Sequence, residues 1–196
     1  MVSRRILTLL GVLLSLCMGV KAQTVGIKSN LLMDATLNPN IGVEVAVAKH
    51  WTLELDYQIN AWNIKQHKLK HYIFTPEARW WYCEKFQGSF IGIHALGGQY
   101  NIGNIHNGIN FLGTHYSYLS DYRYEGWFAG AGISYGYAWA LNKHWNIECE
   151  IGVGWTYSRF DMYKACDVKC GDLLKKNGHH NTVGLTRLGL NVEYLF

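Results

Sequence analysis

From Leu188 to the last residue, apolar side chains fall on every second position. Leu188, Leu190, Val192, Tyr194 and Phe196 alternate with Gly189, Asn191 and Glu193, and Leu195 is the one exception. A period of two belongs to a strand with one apolar face. The same alternation recurs upstream. Residues 25–36 carry Val25, Ile27, Leu31 and Met33 on one parity, and the Leu37-Asn38-Pro39-Asn40 turn signal ends them. Ile41, Val43, Val45 and Val47 alternate with Gly42, Glu44, Ala46 and Ala48. After Lys49-His50 comes the cleanest stretch, where Trp51, Leu53, Leu55, Tyr57 and Ile59 alternate with Thr52, Glu54, Asp56, Gln58 and Asn60. Wound as a helix, that segment would carry acids and aliphatics on every side.

Further strands are predicted at about 70–82, 89–101, 127–141 and 145–158, with the last at 182–196. Pro76 removes a ladder donor from the fourth, so a local irregularity is expected there. Residues 102–126 and 159–181 read as long polar segments. The count is eight, and short connections alternate with longer ones, apart from a short connection after the first strand. Lys-His-Trp stands at both 49–51 and 143–145, which reads as two similar turns.

The apolar parity carries Trp51, Trp80, Tyr82, Trp139, Trp145 and Tyr194 near one set of strand ends. Tyr57, Tyr72, Trp127, Trp155 and Tyr157 lie toward the other. The polar parity is rich in Gly, Ala and Ser, which suits a narrow interior. A soluble barrel turns its apolar side chains inward, and a membrane barrel turns them outward between two aromatic girdles. The expected fold is therefore an all-β, eight-stranded antiparallel up-and-down transmembrane β-barrel.

The N-terminus sharpens this. Met1-Val2-Ser3-Arg4-Arg5, the apolar run Ile6–Val20 and Lys21-Ala22-Gln23 have the layout of a secretory signal cleaved after Ala22. That assigns residues 1–22 to a signal peptide and 23–196 to the barrel. The whole chain has a formal charge of +4, and losing Arg4, Arg5 and Lys21 without any acid takes it to +1. A basic nucleic-acid binder is not indicated.

The terminal set Leu190, Val192, Tyr194 and Phe196 resembles the assembly signal of Gram-negative outer-membrane barrels. Internal motifs carry a second resemblance. Thr75-Pro76-Glu77-Ala78-Arg79-Trp80-Trp81, Glu84-Lys85-Phe86 with Gly88, and Tyr100-Asn101-Ile102-Gly103 occur in order. Tyr124-Glu125-Gly126-Trp127, Gly132-Ile133-Ser134-Tyr135-Gly136-Tyr137, and Cys166 with Cys170 follow. Together they resemble a family of short outer-membrane β-barrels of unknown function. Members are often encoded beside genes for surface fimbriae. The resemblance implies a Gram-negative outer-membrane location with both termini periplasmic, and a structural or adhesive envelope role through the outward loops. It brings no catalytic residue and no cofactor. Expected partners are outer-membrane lipids, lipopolysaccharide, the barrel-assembly machinery, and surface fimbrial or envelope proteins.

The interior parity places Lys28, Arg79 and Arg187 with Asp34, Glu44, Glu54, Asp56, Glu77, Glu148, Glu150 and Glu193. Buried charges must pair or stay hydrated. Counting from the short turns sets Arg79 level with Glu54, and Lys28 level with Glu193 across the closure. A salt-bridged plug is the first reading. A cation path lined by the surplus acids is the second.

The remaining candidates lie in connections. Cys166 and Cys170 suit a small loop disulfide in an oxidising compartment. A metal site with His179 and His180 is the other reading, although the spacing matches no standard finger. Cys83 falls at a strand end and Cys149 on the apolar parity. His115-Tyr116-Ser117 with Glu125 has the residue types of a lipid A acyl hydrolase. A loop position argues against catalysis, so no enzyme is expected. Lys65, Lys68 and Lys70 suit lipopolysaccharide phosphates or a solvated loop equally.

Overall fold

Strand alternation closes into a ring. The computed structural model describes residues 25–61, 63–64, 67–103, 109–111, 114–116, 122–164 and 173–196. Its long strands are β1 (Val25–Asn30), β2 (Asn40–Ala46), β3 (Trp51–Asn60), β4 (His67–Trp81), β5 (Gly88–Gly103), β6 (Tyr122–Ala140), β7 (Trp145–Lys164) and β8 (Leu173–Leu195). Each pairs antiparallel with its sequence neighbours, and β8 pairs with β1. The fold is an eight-stranded antiparallel up-and-down β-barrel. Closure gives the terminal apolar strand a partner: Phe196 N donates to Val25 O at 3.0 Å.

The ring is staggered. Register partners traced from Gly26 through Glu44, Glu54, Glu77, His94, Gly132 and Gly154 arrive at Gly184. The direct partner of Gly26 is Leu195. That offset tilts the strands, as closure of a sheet requires. It also leaves β8 rising past the end of β1.

Side-chain exposure follows parity in the inverted sense. Ile93 is 68% exposed and Ile133 63%, whereas Arg79 and Glu44 are both 0%. Trp51, Tyr82, Trp139 and Trp145 are exposed near the end that holds the chain's C-terminus. Tyr57, Tyr72, Trp127 and Trp155 are exposed toward the other. Leu195, the exception in the terminal alternation, points inward and is buried.

Two short turns repeat one device. His50 O accepts from Trp81 N at 2.8 Å, and His50 Nδ1 lies 3.1 Å from Trp81 O. His144 O accepts from Leu195 N at 2.7 Å, and His144 Nδ1 lies 2.9 Å from Leu195 O. A carbonyl only accepts, so Nδ1 carries the proton in both rings. Each histidine thus ties its turn to the neighbouring strand.

Several expectations change. The first strand ends at Asn30 rather than continuing to 36. Asn30 Oδ1 accepts from Leu32 N at 3.1 Å and caps a short helix, α1 (Leu31–Ala35). Asp34 therefore lies outside the lumen, bonded to Ser29 Oγ at 2.6 Å and Asn40 Nδ2 at 2.9 Å. The connection after β1 is consequently not the short one expected. The described residues of the segments 102–126 and 159–181, read as polar connections, are strand: β6 begins at Tyr122, and β7 and β8 run to Lys164 and Leu173. Polar residues do not forbid a sheet that stands in water, and cross-strand aromatics support this one. Tyr124 and Phe160 meet edge to face at 5.6 Å.

Pro76 behaves as its chemistry requires. The β4–β5 register runs to Phe74↔Gly97 and resumes at Glu77↔His94 without a shift. On β8, Gly152↔Arg187 is followed by Val153↔Leu185, so Thr186 is a bulge. Outward positions are Val183 and Leu185 above the bulge, and Leu188 and Leu190 below it. Residues 1–22, read as a signal peptide, lie outside the described residues.

Candidate functional site in the barrel lumen

Inward-facing residues build the site from neighbouring strands. Glu44, Glu54, Glu77 and His94 form one continuous register row across β2, β3, β4 and β5. Arg79 stands two residues beyond Glu77 and so returns to the same face. Its Nη1 lies 2.8 Å from Glu44, against Glu54, and 3.1 Å from Glu148; its Nε lies 2.8 Å from Glu77 and its Nη2 2.7 Å from Glu150. β4 is bonded to β3 and β5, so the contacts to β7 cross the lumen. The guanidinium also rests on the Phe90 ring, 4.4 Å from its centroid.

Lys28 fills a second position. Its Nζ touches Glu44 and lies 2.9 Å from Glu54, 3.3 Å from Glu148 and 3.8 Å from Glu193. Arg187 fills the third. It touches Glu54 and lies 2.5 Å from Asp56, 2.7 Å from Glu150 and 3.5 Å from Glu77. Three cations therefore serve seven carboxylates, and full ionisation leaves four negative charges unmatched. Hydroxyls and amides take some of the remaining lone pairs. Ser134 Oγ donates to Glu77, and Asn191 Nδ2 donates to Glu148 Oε1 at 2.8 Å.

Apolar packing bounds the network at both ends. Trp81, Phe90 and Ala138 cluster near the turn after β4, where Trp81 Nε1 donates to Thr52 Oγ1 at 2.9 Å. Toward the other end, Leu96, Tyr100, Ile102 and Phe128 form a second cluster.

Two carboxylate groups have the spacing of a cation site: Glu44 with Glu148 and Glu193, and Glu54 with Glu77 and Glu150. Their oxygens lie within 4.8 Å of one another. The chain supplies its own cations there. Lys28 occupies the first, and Arg79 with Arg187 the second.

Ten of the eleven charged residues expected inside (Lys28, Glu44, Glu54, Asp56, Glu77, Arg79, Glu148, Glu150, Arg187 and Glu193) meet in this one network, and Asp34 is the exception. Arg79 does reach Glu54. Lys28 is the register partner of Glu193, yet its nearer carboxylates are Glu44, Glu54 and Glu148. Sequence reasoning missed Phe90 and Asn146, whose Nδ2 donates to Phe86 O at 2.7 Å. An aromatic on the polar parity was the available signal for Phe90. The bulge at Thr186 was also missed; it turns both Thr186 and Arg187 inward, and His94 Nε2 lies 2.9 Å from Thr186 Oγ1.

Among the described residues, the other candidates do not converge. Cys166, Cys170, Lys65 and Ser117 lie outside the described residues, as do the side chains of His115 and Lys68. His179 and His180 are consecutive on β8 and project to opposite faces, which disfavours joint ligation of one ion. Glu125 is exposed and paired with Arg123 at 3.2 Å. Lys70 is exposed. Cys83 and Cys149 are free and exposed. Tyr194 packs on Trp145 and Phe196, with ring centroids 5.1 and 5.0 Å apart. Leu190 and Val192 are half-buried on the same face.

Fold and site define a class: a closed antiparallel barrel with an aliphatic outer face and an ion-packed interior. A family model described as a protein of unknown function (DUF3575) matches residues 8–196, and the chain belongs to that family. No curated protein and no solved structure matches the chain.

Proposed function

We propose that this chain is a Gram-negative outer-membrane β-barrel with a structural or adhesive envelope role, acting through its outward end. One observation carries the reading: the barrel is inside out relative to a water-soluble one. Its aliphatic and aromatic side chains form the outer belt, and the charged residues within that belt, such as Lys28, Glu44, Glu54, Glu77, Arg79, Glu148, Glu150 and Glu193, are buried. In water, that outer surface would be an exposed apolar patch far larger than a soluble monomer keeps. In a bilayer it is the lipid face, with aromatics at both interfaces.

The adhesive part rests on the uneven wall. β5 to β8 rise past the outer aromatics and carry Arg123, Glu125, Arg159, Asp161 and Lys176. Arg159 Nη2 donates to Asn177 Oδ1 at 2.6 Å, and Asp161 Oδ1 accepts from Asn177 N at 2.8 Å, so this extension is cross-braced. A rigid polar sheet beyond the membrane suits a protein partner such as a surface fimbrial or envelope subunit. Outer-membrane fractionation with heat-modifiable gel migration tests the location; recovery as a soluble periplasmic monomer would overturn it. Pull-down from cross-linked envelopes tests the role. A partner lost on replacing Arg123, Arg159 and Lys176 by Ser supports adhesion.

The acid surplus favours a second reading, a small cation-selective conduit. Ion pairs that cross the lumen oppose it.

A further inference from the structure

Above Asn30 the wall has a seam. Among the described residues, the β1–β8 ladder ends at Asn30↔Asn191, whereas β8 continues to Leu173. Asn30 makes the last rung with its side chain: Nδ2 donates to Leu188 O at 3.0 Å, and Oδ1 accepts from Leu190 N at 3.4 Å. Beyond it, α1 packs beside β8 in place of a strand. Leu31 and Leu32 on α1 and Leu37 after it are exposed there, as are Leu185 and Leu188 on β8. Leu185 and Leu188 pair with Val153 and Ile151, below Trp155 of the outer aromatic set. The seam therefore lies within the apolar belt.

Behind the seam is a cavity of about 470 Å³. Ligand pockets generally measure about 300–1,000 Å³. Its inner wall includes Ile73, Leu96 and Phe128, and its floor includes Asp56, Glu150 and Arg187. Asn30 and Met33, and Leu185 and Leu188 of β8, also line it, so the cavity adjoins the seam. On that floor the Asp56 side chain is 32% exposed, so its carboxylate faces open space while Glu150 and Arg187 are buried behind it.

We propose that this cavity binds a single-chain amphiphile with a neutral hydroxyl or amide head, admitted from the surrounding lipid through the β8–α1 seam. The head donates to the accessible Asp56 carboxylate on the floor. The apolar chain lies along Leu96, Phe128 and Ile73. A carboxylate head is disfavoured, because Asp56 and Glu150 already crowd the floor with negative charge. The inference rests on the membrane reading above.

The test uses the full barrel in lipid vesicles and a dodecanol bearing a diazirine on its chain. After illumination, cross-linked peptides are mapped by mass. Cross-links at Ile73, Leu96 and Phe128 that fall severalfold with excess unlabelled dodecanol, and that a dodecanoate probe makes severalfold more weakly, support the proposal. Leu96→Trp fills the cavity and should remove those cross-links while keeping heat-modifiable migration. If that variant does not fold, the competition on the native chain still decides. Cross-links only at Ile93, Ile133 and Val153, insensitive to competitor, would overturn the cavity and leave the membrane reading standing. No lipid-borne labelling of those three either would sink both.

Discussion

Glu44 and Glu54 are direct register partners on β2 and β3, both turned into the lumen and buried. Like charges placed so destabilise a strand pair. Here Glu77 on β4 extends the row to a third glutamate. Arg79 makes the row tenable, since its guanidinium contacts all three carboxylates. Lys28, from β1, adds a second cation between Glu44 and Glu54. The stability of one sheet region thus depends on cations delivered by other strands.

That dependence predicts an asymmetry. Arg79→Met removes the cation that contacts all three glutamates of the row and should cost about 3–5 kcal/mol. Glu193→Gln removes one surplus acid whose nearest cation, Lys28, is 3.8 Å away. It should change stability by about 1 kcal/mol or less in either direction. Urea unfolding in lipid vesicles measures both. The reverse order would show that the cluster is not short of positive charge.

Conductance is governed by the same side chains. Arg79 joins β4 to β7 across the lumen, and Trp81 and Phe90 pack beneath it. The native chain should show no steady current in a planar bilayer. Arg79→Ala with Phe90→Ala removes the bridge and part of the floor, and should give a cation-selective current because acids then dominate the wall. A steady current through the native protein would favour the conduit reading instead.

Cysteine accessibility reports orientation. Cys149 pairs with Leu190 and Tyr137 within the apolar belt, and Cys83 sits beyond the end of β4 at a short turn. In a Cys166→Ser, Cys170→Ser background, a membrane-impermeant maleimide added to intact cells should label neither. A lipid-soluble maleimide should reach Cys149. Labelling of Cys83 by the impermeant reagent, with the outer membrane intact, would invert the proposed orientation.

Much of this was legible because each strand faces two different environments, and a period of two records that difference. The parity of Glu148, Glu150 and Ile151 placed them on opposite faces without any knowledge of their partners. Neighbours across the lumen were not legible. Strand heights counted from the turns set Lys28 beside Glu193, but the staggered ring also brings it to Glu54 and Glu148. Leu31 and Met33 fit a strand parity as well as they fit α1; the amide ties of Asn30 to Leu188 and Asn40 decide the matter, and these are tertiary. The cavity escaped notice for a related reason, since it depends on the Thr186 bulge and the stagger together.

The sense of the barrel is open to a direct test at adjacent positions. Leu55 and Glu54 follow one another on β3 and face opposite ways, Leu55 exposed and Glu54 buried. With lipid outside, Leu55→Arg puts a charge into hydrocarbon, at a cost of roughly 2–4 kcal/mol near the midplane. Glu54→Gln takes one acid from a cluster with acids to spare. Lys28, Arg79 and Arg187 each keep other carboxylates within 3.3 Å, so no buried cation is left alone. Its cost should therefore be smaller than that of Leu55→Arg. Pairing it with Arg79→Gln should cost more than Glu54→Gln alone, because the surplus of acid then has one cation fewer. Reversible unfolding in vesicles ranks all three. A water-soluble barrel gives a different signature. Its outer positions would tolerate charge, so Leu55→Arg would be close to neutral and would improve solubility without detergent. That outcome, with a parent protein that stays monomeric in plain buffer, would end the membrane reading.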